Sequence, residues 1–326
     1  MDLDVVFLGT SGSTPTAQRG LPATLVRRGG DKLLFDCAEG TQRQLLRSDV
    51  GLVELEEIFL THFHADHYLG LPGMLKTFAL RGRELPLTLY GPRGLDELFK
   101  SLRRIFGRLT YAVAVVELDP GAVLERDDYR LEAFAVHHGV PAVGYALVEL
   151  ERPGRFDVEA AGRLGVPDGP ERGRLQAGEP VALPDGREVR PEDVLGPPRE
   201  GRKLVLSGDT APTATVVEAA AGADVLVHEA TFLADERERA RETLHSTAGE
   251  AALAAREAGV RMLALTHVST RYFGHQVVEE ARELFADTVV PRDFDVVEIP
   301  FPERGAPELV RSGARTRRAV VGSEEA

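Results

Sequence analysis

Thr61-His62-Phe63-His64-Ala65-Asp66-His67 places three imidazoles and one carboxylate within seven residues. Imidazole and carboxylate together suit zinc and its neighbours in the first transition row. The apolar run Ile58-Phe59-Leu60 comes first, so the cluster sits where a buried strand ends. His62 and His64 are two apart and lie on one side of the chain. Asp66 and His67 come one turn later and can face a second point, so one loop can hold two metal ions. Three more positions repeat this context of an apolar strand followed by a ligand. Leu204-Val205-Leu206 leads to Ser207-Gly208-Asp209, Met262-Leu263-Ala264-Leu265 to Thr266-His267, and Phe134-Ala135-Val136 to His137-His138. Strand ends are where a sheet scaffold fixes functional loops. Taken singly, each outlying residue is equally a structural hydrogen-bonding group. Together they predict a dinuclear site. His62, His64 and one of the His137-His138 pair would hold one ion; Asp66, His67 and His267 the other. Asp209 would bridge, having two oxygens to share.

The scaffold reads as α/β. Strand-like runs fall at Val5–Leu8, Thr24–Arg27, Leu33–Phe35, Ile58–Leu60, Leu87–Tyr90, Val113–Leu118 and Leu131–Val136. More follow at Leu204–Leu206, Val225–Val227, Leu263–Leu265 and Val296–Ile299. Helical patterns such as Ala248–Ala258 and Gln276–Phe285 lie between them. Two halves, 1–150 and 203–310, predict two packed sheets with helices outside. Residues 151–202 interrupt this with proline, glycine and charge, a composition that argues against a core of its own. The segment reads as a disordered linker or as a protruding arm. Strand-sized pieces Pro180–Leu183 and Arg187–Val189, around the turn Pro184-Asp185-Gly186, favour an arm with a small folded tip. The basic tail 311–326, ending in Glu324-Glu325, is expected to be disordered.

With 326 residues and 43% hydrophobic content, the chain can build one large domain or two smaller ones. No run of 18 apolar residues exists, so no helical membrane span is expected. The acidic start Met1-Asp2-Leu3-Asp4 is unlike a signal peptide. Cys37 is the single cysteine, which excludes an intrachain disulfide and fits the cytoplasm. A formal net charge of -13 argues against a nucleic-acid partner unless the basic groups are clustered. Arginine far outnumbers lysine and supplies forks suited to phosphate.

From end to end the chain resembles the metallo-β-lactamase superfamily, whose fold is a four-layer αββα sandwich. More narrowly it resembles the ribonuclease Z family. The resemblance rests on Phe7-Leu8-Gly9-Thr10-Ser11-Gly12-Ser13-Thr14-Pro15, on Phe35-Asp36-Cys37-Ala38-Glu39-Gly40-Thr41-Gln42, and on Thr61–His67 with Leu69-Gly70-Leu71-Pro72-Gly73. His228-Glu229-Ala230-Thr231, His245-Ser246-Thr247 and Thr266-His267-Val268-Ser269-Thr270-Arg271-Tyr272 follow in the family's order. The family's spacing from histidine to Gly-Tyr selects His138 over His137. The 151–202 segment sits where the family inserts its tRNA-grasping arm, and Gly169-Pro170 is similar to that arm's Gly-Pro element. Arg19-Gly20 stands where the family commonly has Arg-Asn. Ala65 stands where the family often has glycine.

The resemblance implies a zinc-dependent endoribonuclease acting on precursor tRNA, with two Zn2+ per subunit, Mn2+ or Co2+ being alternatives. It also implies a homodimer. Hydroxide attack on the phosphorus would leave a tRNA 3′-hydroxyl and a trailer 5′-phosphate. Asp66 would accept the nucleophile's proton. His245 would protonate the leaving oxygen, with Glu229 orienting it and keeping it charged. His245 reads otherwise as a polar residue at a helix start, and Glu229 as a buried ion-pair partner. Gly9–Thr14 amides, Arg19 and Arg271 are candidates for phosphate contact, and Gly169 and Pro170 for substrate binding. The loop reads equally as a tight turn, and Arg271 as the partner of an acidic neighbour. Two other functions compete: a small-molecule hydrolase of the same fold, and an RNA-binding scaffold without catalysis. The arm and the His245/Glu229 pair weigh against the first; the complete ligand set weighs against the second.

Overall fold

The computed structural model describes residues 2–52 and 55–312. The tail expected to be disordered therefore lies, beyond Ser312, outside the described residues. Two compact units emerge. One comprises the chain up to Glu125, Leu131–Leu147 and the chain from Arg202 onward; the other comprises Arg126–Arg130 and Val148–Gly201.

The first unit is built on two sheets. In the eight-stranded sheet the order is Glu308–Val310, Val296–Glu298, Leu3–Gly9, Ala23–Arg28, Asp31–Phe35, Glu57–Phe59, Leu87–Gly91 and Val113–Glu117. Pairing is antiparallel up to Asp31–Phe35 and parallel beyond it. The seven-stranded sheet runs Thr288–Val289, Met262–Thr266, Val225–Glu229, Lys203–Leu206, Val143–Glu149, Tyr129–Ala135 and Val123–Glu125. Its first four strands are parallel. Strands covered on both faces read as unbroken apolar runs; Val225–Val227 does so, and every residue of Val225–Glu229 is buried. Tyr129–Ala135 alternates between buried and half-buried, the pattern of a strand covered on one face.

Tyr145 joins the sheets. Its ring lies 5.4 Å from Phe35 and 5.5 Å from Phe59, and its hydroxyl donates to Leu60 O at 2.7 Å. Outside the first sheet, helices Leu71–Leu80 and Leu95–Phe106 bury Met74, Phe78, Leu102 and Phe106 against Leu25, Leu34 and Ile58. Outside the second, helix Ala248–Ala258 packs on Val225–Glu229 and Met262–Thr266. The layers are helix, sheet, sheet, helix, as expected. Among the described residues no helix is long and apolar enough to cross a membrane. Val143–Glu149 was not among the expected strands; Gly144 interrupts its apolar pattern.

The second unit corrects one expectation: it has a core. Ala161, Val166, Leu175, Val181, Leu183, Val189 and Val194 are buried together. Helix Val158–Leu164 starts at Asp157, whose Oδ1 accepts from Ala160 N at 2.8 Å. Helix Pro170–Gln176 follows Gly169, with Pro170 in its first turn. Val181–Ala182 pairs with Glu188–Val189 as a hairpin around Pro184-Asp185-Gly186. The apolar residues are few, yet each falls on an inward face, and composition alone does not register that. Arg126–Arg130, expected in the first half, folds with this unit.

Candidate metal centre

Nearly every candidate ligand follows the C-terminal end of a strand, where open α/β sheets place ligands. His62 and His64 come after Glu57–Phe59, and His64 caps the short helix Ala65–Tyr68 that carries Asp66 and His67. Asp209 follows Lys203–Leu206, and His267 follows Met262–Thr266. The structure gathers all seven. His64 Nδ1 lies 3.1 Å from both His62 Nε2 and His138 Nε2. Asp66 Oδ2 lies 3.8 Å from His67 Nε2 and 3.5 Å from His267 Nε2. Asp209 Oδ2 stands between the two groups, 3.8 Å from His62 Nε2 and 3.3 Å from both His67 Nε2 and His267 Nε2. Two triads, His62/His64/His138 and Asp66/His67/His267, each have their ligand atoms within 4.8 Å of one another. His138 belongs to the cluster, while His137 contributes its backbone to a bridge with Ala211.

The donors fit a metal pair on a structural test. His67 Nε2 and His267 Nε2 are buried with no hydrogen-bond partner, a costly arrangement unless they coordinate a cation. Their opposite nitrogens are held: His67 Nδ1 on Asp36 Oδ2 and His267 Nδ1 on Thr231 Oγ1, each at 2.8 Å. His62 Nδ1 lies 3.0 Å from Thr61 Oγ1, and His138 Nδ1 lies 3.1 Å from Leu244 O. Outer partners of this kind fix ring orientation in metal sites. The charges agree. Burial and then the charge of His67 hold His62 well below the usual imidazole range. Burial favours neutral Asp209, but His267 and His67 outweigh it and keep the carboxylate ionised. His67 is pushed well above its usual range because Asp209 and Asp36 outweigh its burial. Asp209 is thus held ionised among imidazoles, and a cation there would take the place of the extra proton on His67.

Asp36 and Thr231 had no assigned role in the sequence. Their signal was positional: both stand in family motifs, just past a strand end. Asp36 accepts from Thr61 N at 2.8 Å as well as from His67, in a left-handed backbone conformation (φ 59°). Gly208 also has positive φ (63°), and a Cβ there would crowd the Thr61 side chain at 3.0 Å.

Beside the ligands lies a separate pair. His245 Nδ1 is 2.7 Å from Glu229 Oε1. Glu229 is 1% exposed and also accepts from Thr210 N (3.0 Å), Thr231 N (3.1 Å) and Thr231 Oγ1 (2.6 Å). Burial works against a charged His245, yet Glu229 outweighs it and pushes the imidazole up to about 9. Burial likewise opposes ionised Glu229, and His245 more than offsets it. The His245 ring stacks on His267 at 5.5 Å and 17°. His228 faces elsewhere, with Nδ1 at 2.7 Å from Glu229 O.

The family model of the metallo-beta-lactamase superfamily matches residues 20–267. A ribonuclease Z of Myxococcus xanthus is 50% identical over 302 residues, 91% of this chain and 98% of the relative. One of Methanosarcina acetivorans is 46% identical over 304 residues, 92% and 99% of the two chains. The chain belongs to the ribonuclease Z family. The crystal structure of human tRNase Z, short form, superposes with a TM-score of 0.67 at 28% identity, covering 91% of this chain and 99% of that one.

The residues expected to meet substrate in a ribonuclease Z family member stand differently. The Gly-rich loop is committed internally: Ser11 N donates to Gly20 O, Gly12 N to Val268 O, Thr14 N to Gly12 O, and Ser13 N to Asp66 Oδ2 at 2.9 Å. The Ser13 amide positions a ligand and the other three are spent on backbone carbonyls, so none of the four is offered to phosphate. Gly12 lies so close to His267 that a Cβ would come within 2.5 Å of its Nδ1. Arg19 Nη1 donates to Thr10 Oγ1 (2.6 Å) and Pro291 O (2.8 Å), which ties down the following loop. Arg271 Nε lies 3.4 Å from Glu236 Oε2, the acidic-neighbour alternative. Gly169 and Pro170 lie in the second unit, at the start of a helix. That unit's Arg172, Arg174, Arg187 and Arg190 each pair with a carboxylate, Asp168, Glu179, Asp185 and Glu188 in turn.

Proposed function

We propose that this chain is a metal-dependent endoribonuclease that removes the 3′ trailer from precursor tRNA, leaving a tRNA 3′-hydroxyl and a trailer 5′-phosphate. The observation that carries the reading is the His245–Glu229 pair at 2.7 Å, outside the His62/His64/His138 and Asp66/His67/His267 triads, with His245 also within 4.8 Å of ligand atoms of His138, Asp209 and His267. The 46–50% identity to ribonuclease Z relatives supports it.

A pair of divalent ions held by His62, His64, His138, Asp66, His67, His267 and Asp209 would lower the pKa of a shared water and offset charge on the phosphoryl oxygens. Two Zn2+ per subunit fit this donor set, and Mn2+ or Co2+ fit it as well. Asp66, oriented by Ser13 N, accepts the proton of the attacking water. As the new P–O bond forms, the bond from phosphorus to the 3′-oxygen breaks. His245 gives that oxygen a proton from Nε2, the nitrogen its Glu229 contact leaves free. Glu229 stays ionised and holds the imidazolium in place, as an orienting carboxylate does. The second unit meets the folded part of the RNA through shape and backbone, since its arginines are already paired. A homodimer acting in the cytoplasm belongs to the same reading.

The test compares precursor tRNA with a small phosphodiester on metal-loaded and chelator-stripped protein. Metal-dependent cleavage of the precursor, with a much higher kcat/KM than for the small ester, is expected. Preference for the small ester would favour the hydrolase alternative.

A further inference from the structure

The first unit carries a cleft of 420 Å³ whose lining includes Arg19, Arg282, Arg292 and Arg311, with Phe273 and His275 and, among the described residues, no carboxylate. In a chain of net charge -13, four arginines gathered with no acid among the described lining residues reverse the average. Arg282 Nε is bound to Thr288 O at 2.9 Å, a backbone group that leaves its charge uncompensated. The Arg292 side chain has no hydrogen-bond or ion-pair partner among the described residues, and Arg311 is held at the rim by Asp295. Phe273 is 72% exposed and stacks on His275, centroids 5.7 Å apart and planes 15° apart. A single exposed apolar side chain needs no explanation. An exposed aromatic stack beside an arginine cleft has the make-up of a single-strand site, where cations follow the backbone and rings receive unpaired bases. A duplex keeps its bases stacked on each other and has no use for such a ring. Free phosphate would use the arginines and not the ring. Phe273 is six residues past His267, so it lies within about 20 Å of that ligand by chain reach.

We propose that this cleft binds single-stranded RNA and holds the trailer downstream of the cut, its phosphates on Arg282 and Arg292 and one base on Phe273. The identity of that strand as the trailer rests on the precursor-tRNA reading; the binding itself does not.

The experiment titrates the whole, metal-loaded protein into a fluorescein-labelled oligouridylate of about ten nucleotides, within the usual site size, and reads anisotropy across a salt series. Phe273→Ala is expected to weaken binding about ten-fold at every salt concentration, the loss of one stacked base. Arg282→Gln/Arg292→Gln should reduce the salt slope by about 1.4, or 0.7 for each phosphate contact. Arg93→Gln, at a surface pair with Asp119, controls for global charge and should leave the slope unchanged. Absence of binding by the unaltered protein, or unaltered binding by both cleft variants, would overturn the proposal. Circular dichroism of the variants guards against misfolding. Because the probe carries neither tRNA fold nor processing site, failure to cleave precursor tRNA would sink the functional reading without touching this one. If both hold, lengthening the trailer should raise kcat/KM in the unaltered protein and not in Phe273→Ala.

Discussion

Replacing Asp36 with Asn keeps the side-chain volume and removes its charge. Asp36 Oδ2 accepts from His67 Nδ1 at 2.8 Å, Oδ1 accepts from Thr61 N at 2.8 Å, and both oxygens face Thr61 Oγ1 at 3.0–3.1 Å. Asparagine has one acceptor oxygen, so one donor is left facing an NH2 group. If Thr61 N keeps the oxygen, His67 loses the partner that fixes its tautomer and aims Nε2 at the metal position. Loss of such an outer partner typically costs about 10–100-fold in metal affinity or activity, which is about 1.4–2.7 kcal/mol. A lost hydrogen bond to a charged group costs about 1.5–3 kcal/mol of stability, within a usual reserve of about 5–15 kcal/mol. The variant should therefore fold, with a lower Tm. Asp36 touches His67 directly and reaches His62 only through Thr61 Oγ1, so the larger loss should fall on the Asp66/His67/His267 side. Competition with a chromogenic chelator should then resolve one weakened ion and one near its original affinity. A lower Tm with both affinities unchanged would refute the reasoning and leave Asp36 a purely structural residue.

His245→Ala should lower turnover on precursor tRNA by about 10²–10⁴ while metal analysis finds the same content; lost metal would make His245 a ligand. His245 is raised to about 9 by Glu229 against its burial, so its donor proton is present below that pH and is lost above it. Glu229→Gln removes the raising influence and leaves burial, so the alkaline limb of the kcat profile should move to lower pH; an unmoved limb would dissociate the pair from catalysis. Deleting residues 155–198 should raise KM for precursor tRNA strongly and leave hydrolysis of a small phosphodiester intact, measured side by side. Equal loss of both activities would count against RNA binding by the second unit.

Much of the scaffold was legible because its parallel strands are apolar along their whole length and each stops at a polar ligand. Leu204–Leu206 before Asp209 and Met262–Leu265 before His267 show this. Helix Ala248–Ala258 was legible to the residue because Thr247 and Glu250 form a capping box and Gly259 ends it. Gln276–Phe285 was displaced: the helix runs Gly274–Arg282, starting just after Phe273. Asp36 and Thr231 escaped because their work is done across folded distance, 31 residues to His67 and 36 to His267. Arg19 and Arg271 show the same limit from the other side. A guanidinium's type is written in the chain, but Pro291 O and Glu236, which claim these two, are known only from the fold. The hairpin of the second unit was legible, but its core was missed because counting apolar residues ignores which way a few well-placed ones point.

The most direct test of the central claim is to cleave an end-labelled precursor tRNA with the metal-loaded protein and determine both new termini by mass spectrometry. One cut at the 3′ end of the tRNA body, giving a 3′-hydroxyl on the tRNA and a 5′-phosphate on the trailer, is predicted. A 3′-phosphate or cyclic phosphate on the tRNA, or no cut while a small phosphodiester is hydrolysed, would contradict it.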